Sequence, residues 1–211
     1  MKNNFAILFV MLCLSNLVLA QSEHNRPDSV NTKSWDFGAE ANLYFLPEDF
    51  FVNPIITANH HWLHLESRYN YEDLQTVSFF GGYNFSVGNK LTFDATPIIG
   101  FAVGNTNGII PGFEATLAFR KWELYSETEY LISKGDHANS FLYTWSELTY
   151  SPIDWLYVGI SAQRTRLYQT DLDVQRGILV GFTKGKVNLS GYLFNLGFDD
   201  PFFLLSIGIS I

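Results

Sequence analysis

The chain has a single cysteine in 211 residues, Cys13, and it falls within the first twenty. One thiol forms no intramolecular disulfide and builds no cysteine metal site. Charge is scarce as well. Charged residues make up 16% of the chain, and 13 Lys and Arg stand against 21 Asp and Glu, a formal net charge of −8. That deficit of cations excludes a nucleic-acid binder, whose affinity comes largely from cations that displace counterions. Long apolar runs are also missing. After Ala20 no stretch of about twenty apolar residues occurs, so no segment reads as a membrane-spanning helix.

The first twenty residues carry one early cation (Lys2), an apolar run from Phe5 to Leu14 and a small-residue end at Val18-Leu19-Ala20. This is the pattern of a secretory signal peptide over 1–20. Its removal takes Cys13 with it. Residues 21–33 are polar and aperiodic and contain Pro27, the composition of a flexible leader.

From residue 34 the dominant feature is alternation. One face reads Trp35, Phe37, Ala39, Ala41, Leu43, Phe45, and the same uncharged face recurs over 63–71, 91–101, 109–119, 122–132 and 142–150. The interleaved positions and their continuations hold Asp36, Glu40, Glu66, Arg68, Glu72, Asp94, Glu114, Arg120, Glu123, Glu127, Glu129 and Glu147. A period of two is the signature of strands. Segments of about ten residues, apolar on one side and polar on the other, predict an all-β, closed antiparallel transmembrane β-barrel. About 12 strands are expected over 34–211, with 10–12 allowed because the second carries Pro54. A soluble β-sandwich also alternates, but it must hide its aromatic face between two sheets.

Connections alternate between tight turns, as at His60-His61, Arg120-Lys121 and Lys184-Gly185-Lys186, and longer polar loops. In such barrels the short turns face the periplasm, which predicts that both termini lie there. Trp35, Trp62, Trp122 and Trp155 fall beside the short-turn ends, where an amphipathic ring suits a headgroup layer. The opposite girdle is predicted from Phe50, Phe51, Tyr69, Tyr71, Tyr130, Phe141, Tyr168, Phe198 and Phe202.

The last strand, Phe202 to Ile211, is amphipathic and runs to the C-terminus. It resembles the closing strand of bacterial outer-membrane β-barrel proteins, departing from them in ending on Ile211 rather than an aromatic residue. The resemblance covers 34–211. It implies residence in the outer membrane, contact with its lipids including lipopolysaccharide, and insertion by the barrel assembly machinery. The stretches Leu63-His64-Leu65-Glu66-Ser67-Arg68-Tyr69 and Tyr143-Thr144-Trp145-Ser146-Glu147-Leu148 look like a family of small bacterial barrels, a likeness that carries no activity with it.

If the charged face lines the lumen, acids outnumber cations there. Pairing about the Arg120-Lys121 turn sets Glu127 opposite Glu114, and pairing about the next loop sets Glu147 beside Glu127. Like charges directly opposite one another are unfavourable in a sheet. The row, extended by Glu123 and Glu129, therefore predicts water, a cation or an uncharged carboxyl. Arg68 with Glu66 and His64 is expected to form a mixed patch elsewhere on the wall, with a local Glu66–Arg68 pair as the equal alternative. Arg164, Arg166 and Arg176 interrupt the apolar face near one rim. They predict either a clamp for lipopolysaccharide phosphates or a bulge that turns them inward.

Acyl hydrolases that act from a barrel wall need His and Ser on the lipid side. Here His64 is expected inside, Ser67 points the other way and His137 sits in a loop. No catalytic residue, metal site or cofactor is expected; the five histidines are scattered in sequence. The favoured function is a passive channel for small hydrophilic or cationic solutes through an acidic lumen. The alternatives are a non-conducting structural or surface-interaction barrel, in which a lattice of salt bridges fills the lumen, and last a lipid-modifying enzyme.

Overall fold

In a computed structural model the described residues are 34–135, 139–167, 173–198 and 200–211. The signal peptide and leader expected over 1–33, together with His137, Tyr168 and the loop 169–172, lie outside them. The described residues form strands β1 (Asp36–Phe45), β2 (Phe50–His60), β3 (Leu63–Tyr69), β4 (Thr76–Tyr83), β5 (Phe85–Gly88), β6 (Leu91–Gly104) and β7 (Gly108–Phe119). It continues with β8 (Trp122–Ser133), β9 (Phe141–Ile153), β10 (Leu156–Arg164), β11 (Gln175–Lys184), β12 (Val187–Phe194) and β13 (Phe202–Ser210). Every pairing is antiparallel; β4 and β5 both pair with β6, the other pairs join neighbours in sequence, and β13 returns to β1, from Phe45 opposite Phe203 to Gly38 opposite Ser210. This closes the barrel and leaves no exposed edge.

β4 and β5 are two halves of one barrel strand, so the barrel has twelve strands. Both halves pair with β6 in one register, with Gly82 opposite Ile98 and Phe85 opposite Ala95. The gap between them falls opposite Pro97, which has no N–H to give the ladder. Pro54 leaves a similar mark. The β2–β3 ladder begins only after it, at Ile55 opposite Arg68, while Asn70 Nδ2 donates to the Val52 carbonyl at 3.0 Å. A proline in this strand thus ends one ladder early without removing the strand.

The faces are those the alternation predicts. Phe37, Phe45, Leu65, Ile99, Phe101, Ile109, Phe113, Leu117, Ile132, Ile160 and Ile207 all point outward and are exposed. An apolar belt this continuous belongs in hydrocarbon, where only closed barrels and helices satisfy their backbone groups. Trp35, Trp62, Trp122 and Trp155 sit exposed at the short-turn rim and pack on His60, Tyr83, Tyr150 and Phe182 respectively. The tight turns there use positive φ at His61, Gly88, Arg120 and Gly185.

The second girdle is corrected by the fold. Phe50, Tyr69, Tyr130 and Phe198 do face outward, but Phe51, Tyr71, Phe141 and Phe202 are buried inside the barrel. Being one residue along from an outward neighbour puts Phe51 on the opposite face. These inward rings help to fill the long-loop half of the lumen. One apolar cluster joins Tyr44, Phe51, Leu179, Tyr192, Phe194, Phe202 and Leu204; a second joins Tyr71, Phe80, Ile98, Ile110, Leu131, Phe141 and Tyr143. Trp145 packs against both and ties them together across the interior.

Candidate functional site: a guanidinium knot under an acidic vestibule

The short-turn half of the lumen is open. A cavity of about 600 Å³ reaches the rim at Gly185, Lys186 and Ser210 and ends on Tyr44, Tyr71, Tyr143, Trp145 and Tyr192. Its wall carries Glu40, Glu66, Glu114, Glu127 and Glu147. At its deep end stands Arg68, a fully buried side chain from β3.

Arg68 is the centre of the site. Its Nε donates to Glu66 Oε1 at 2.6 Å, Nη1 to Glu127 Oε1 at 2.8 Å and Glu129 Oε1 at 2.7 Å, and Nη2 to Glu114 Oε1 at 3.2 Å. Glu72 lies 3.8 Å from Nη1. Five carboxylates thus surround one guanidinium, whose planar fork can donate in several directions at once. The rings of Tyr71 and Phe80 lie 4.3 and 4.4 Å from its carbon, adding cation–π contact.

The loop after β3 completes this knot by folding into the barrel. Asn70 and Gln75 take positive φ at its two ends. Tyr71 Oη donates to Glu127 Oε2 at 2.9 Å and accepts from Tyr143 Oη at 2.8 Å. Ser78 Oγ donates to Glu72 Oε2 at 2.7 Å, and Thr106 Oγ1 donates to Asp73 Oδ2 at 2.6 Å. Burial lifts the Glu72 carboxyl above the ordinary carboxylate range, against the lowering pull of Arg68 and of the Ser78 hydroxyl. On the facing wall Gly112 lets Glu129 reach the knot, because a Cβ there would stand 2.9 Å from Glu129 Cγ and 2.9 Å from Ile98.

The predicted acidic row is brought together in part. Glu114 stands opposite Glu127, as the turn geometry requires. Glu147 does not stand beside Glu127; it faces Tyr125, while Trp145 faces Glu127. The loop between β8 and β9 sets this register two residues from the expected one, which keeps every side chain on its face and changes only its partner. Glu147 instead accepts from Trp145 Nε1 at 2.7 Å. Glu129 is buried in the knot, and Glu123 sits exposed on the inner face toward the short-turn mouth.

Two further expectations change. Arg68 and Glu66 do pair locally, but they are not a separate patch: Arg68 bridges the lumen to the acidic row on β7 and β8. Arg120 is not on the inner wall; it forms the tip of a short turn with its guanidinium 5.1 Å from the Phe119 ring. Arg164, Arg166 and Arg176, the other arginines among the described residues, stay on the outward face. Gln163 and Gln175 are the buried neighbours, so no bulge turns Arg164, Arg166 or Arg176 inward. Arg176 is exposed opposite Ala162, one step along from Arg164. Arg164 donates to the Leu142 carbonyl, and Arg166 donates to the Asn139 carbonyl at 3.0 Å.

Sequence reasoning missed Tyr71, which donates to Glu127, and Tyr143, which donates to Tyr71. The signal was available in their spacing, since Tyr143 shares the inner face with Trp145 and Glu147. No protein-family profile and no curated protein sequence matches the chain. Among solved structures, one titled KdgM porin is similar over 83% of this chain and 99% of its own, at 8% identity and a TM-score of 0.57. At that identity the likeness speaks to the fold, and the fold shared is that of a porin β-barrel.

Proposed function

We propose that this chain is an outer-membrane porin-like barrel that passes small hydrophilic or cationic solutes, and that its passage is shut at mid-height in the conformation described. The observation that carries the reading is the imbalance at Arg68. Seven carboxylates (Glu40, Glu66, Glu72, Glu114, Glu127, Glu129 and Glu147) stand around the cavity and knot, and within the knot itself Arg68 is the single permanent cation. A wall of this sign concentrates cations and repels anions. In this reading the vestibule faces the periplasm together with both termini, and the loop 70–75 must withdraw for a solute to cross. Likeness to a porin barrel supports a channel rather than an enzyme, and no His and Ser pair stands together on the outer face among the described residues.

One observation favours the second reading, a non-conducting structural or surface-interaction barrel: apolar packing on the long-loop side of the knot runs from wall to wall through Trp145. Planar-bilayer recording separates the two. Rare, small, cation-preferring steps in the native barrel, made frequent by truncating the Tyr71 ring, support the channel. Silence in the native and the truncated barrel, both correctly folded, gives the function to the second reading. Arg164, Arg166 and Arg176 form part of the proposal as a clamp for lipid phosphates at the outer rim, with lipopolysaccharide the expected partner.

A further inference from the structure

His64, Glu66 and Glu114 converge at the edge of the knot, and each lines the vestibule. Their ligand atoms, one per residue, all lie within 4.8 Å of one another. An independent observation concerns which nitrogen His64 turns toward the carboxylates. Its Nδ1 meets Asn59 Oδ1 at 2.9 Å, and that same oxygen accepts from Asn84 Nδ2 at 2.8 Å. Asn84 Oδ1 accepts in turn from Thr96 Oγ1 at 2.7 Å. Asn59 Oδ1 is therefore an acceptor, and Nδ1 carries the hydrogen that it receives. In its neutral form the ring then presents the lone pair of Nε2 to Glu66 Oε2, 3.1 Å away.

Two acceptors at that separation repel unless a proton or a metal ion lies between them. Two metal bonds of about 2.1 Å at a tetrahedral angle span roughly 3.4 Å, and the observed 3.1 Å comes within a few tenths of an ångström of that span. Arg68 takes Oε1 of Glu66 and Oε1 of Glu114. It leaves the second oxygen of each carboxylate to the site. A ligating histidine that donates its other ring N–H to an oxygen acceptor is the usual outer arrangement of a metal site. The knot's excess of carboxylates over guanidinium favours a dication there, and the vestibule supplies the entry path.

We infer that His64 Nε2, Glu66 and Glu114 form a binding site for a divalent first-row transition ion of the zinc class. Three protein ligands leave a coordination position open to the vestibule, as in sites that hold a water or a solute. Asn59 is a positioning residue that fixes the ring. The inference does not depend on whether the barrel conducts.

The test is titration of the detergent-folded barrel with Co²⁺, followed by visible absorption, with Zn²⁺ as competitor and with folding checked by unboiled gel mobility. One saturable site is expected in the native barrel. It is expected to persist in the His60→Ala/His61→Ala double variant, to weaken about tenfold or more in Asn59→Ala, and to vanish in His64→Ala. Should His64→Ala fail to fold, Asn59→Ala and the native spectrum, which must report mixed nitrogen and oxygen ligands, decide the matter. Absence of saturable binding would leave an imidazolium–carboxylate pair and overturn the site. Binding that survives His64→Ala but is lost with His60 and His61 would move the ion to the rim histidines and overturn it equally.

Discussion

Arg68 on β3 and Glu129 on β8 meet across the lumen at 2.7 Å although 61 residues separate them in sequence, and neither strand pairs with the other. The contact is a chord of the barrel rather than a rung of the sheet. It joins strands that stand four apart around the barrel, so its loss is felt well beyond one pair of strands.

Replacing Arg68 by Gln removes the one guanidinium and leaves five carboxylates facing one another in a buried site. Breaking a buried ion pair by removing one partner costs about 3–5 kcal/mol. A drop of that size is expected in the stability of the detergent-folded barrel, read as a lower temperature for losing its compact gel mobility. Arg68→Lys should recover only part of it, because an ammonium cannot reproduce the planar fork. An unchanged transition in Arg68→Gln would mean the knot does not hold the barrel together.

Glu72 gives the plug a pH dependence of definite sign. Its folded-state pKa is raised, so its contribution to holding the loop inside is complete below the ordinary carboxylate range and is lost as pH rises through the raised value. Conductance is therefore expected to grow from mildly acidic to alkaline pH. Glu72→Gln, neutral at every pH, should flatten that profile. A profile rising toward acid would contradict this account.

Tyr71 closes the gap between the two walls by bonding Glu127 and Tyr143. Tyr71→Ala should open a path past the knot and raise the frequency of cation-preferring steps in bilayer recordings while the barrel still folds. Cation preference is then expected to fall when Glu127 or Glu114 is changed to Gln.

Gly181 is required by its neighbour. Tyr157 on β10 folds its ring over this position and bonds Asn188 at 2.9 Å, so that a Cβ at 181 would stand 2.0 Å from the ring. Gly181→Ala must push the ring off and is expected to destabilise by about 1–3 kcal/mol. Denaturant midpoints of the two proteins measure it.

The outward arginines predict a lipid effect. Charge reversal at Arg164 and Arg176 should lower the amount of lipopolysaccharide that co-purifies with the barrel, with no change in gel mobility. Equal amounts of lipid in native and reversed proteins would count against the clamp.

The amino-acid sequence determined the strands, their faces and much of their pairing. Alternation at period two fixes which side of each strand meets hydrocarbon. Tight turns fix local register, which is why Glu114 opposite Glu127 was legible before any fold was known. Where the connection is longer, register was not legible: the loop between β8 and β9 shifts Glu147 by two residues, a change that no hydrophobic pattern records because both registers bury the same face. Tertiary structure alone decided what happens inside. Which inward side chains meet across the lumen depends on the closure, tilt and stagger of twelve strands. Only closure brings Arg68 to the acids of β7 and β8, folds Tyr71 and Glu72 beside it, and turns an acidic lining into a knot.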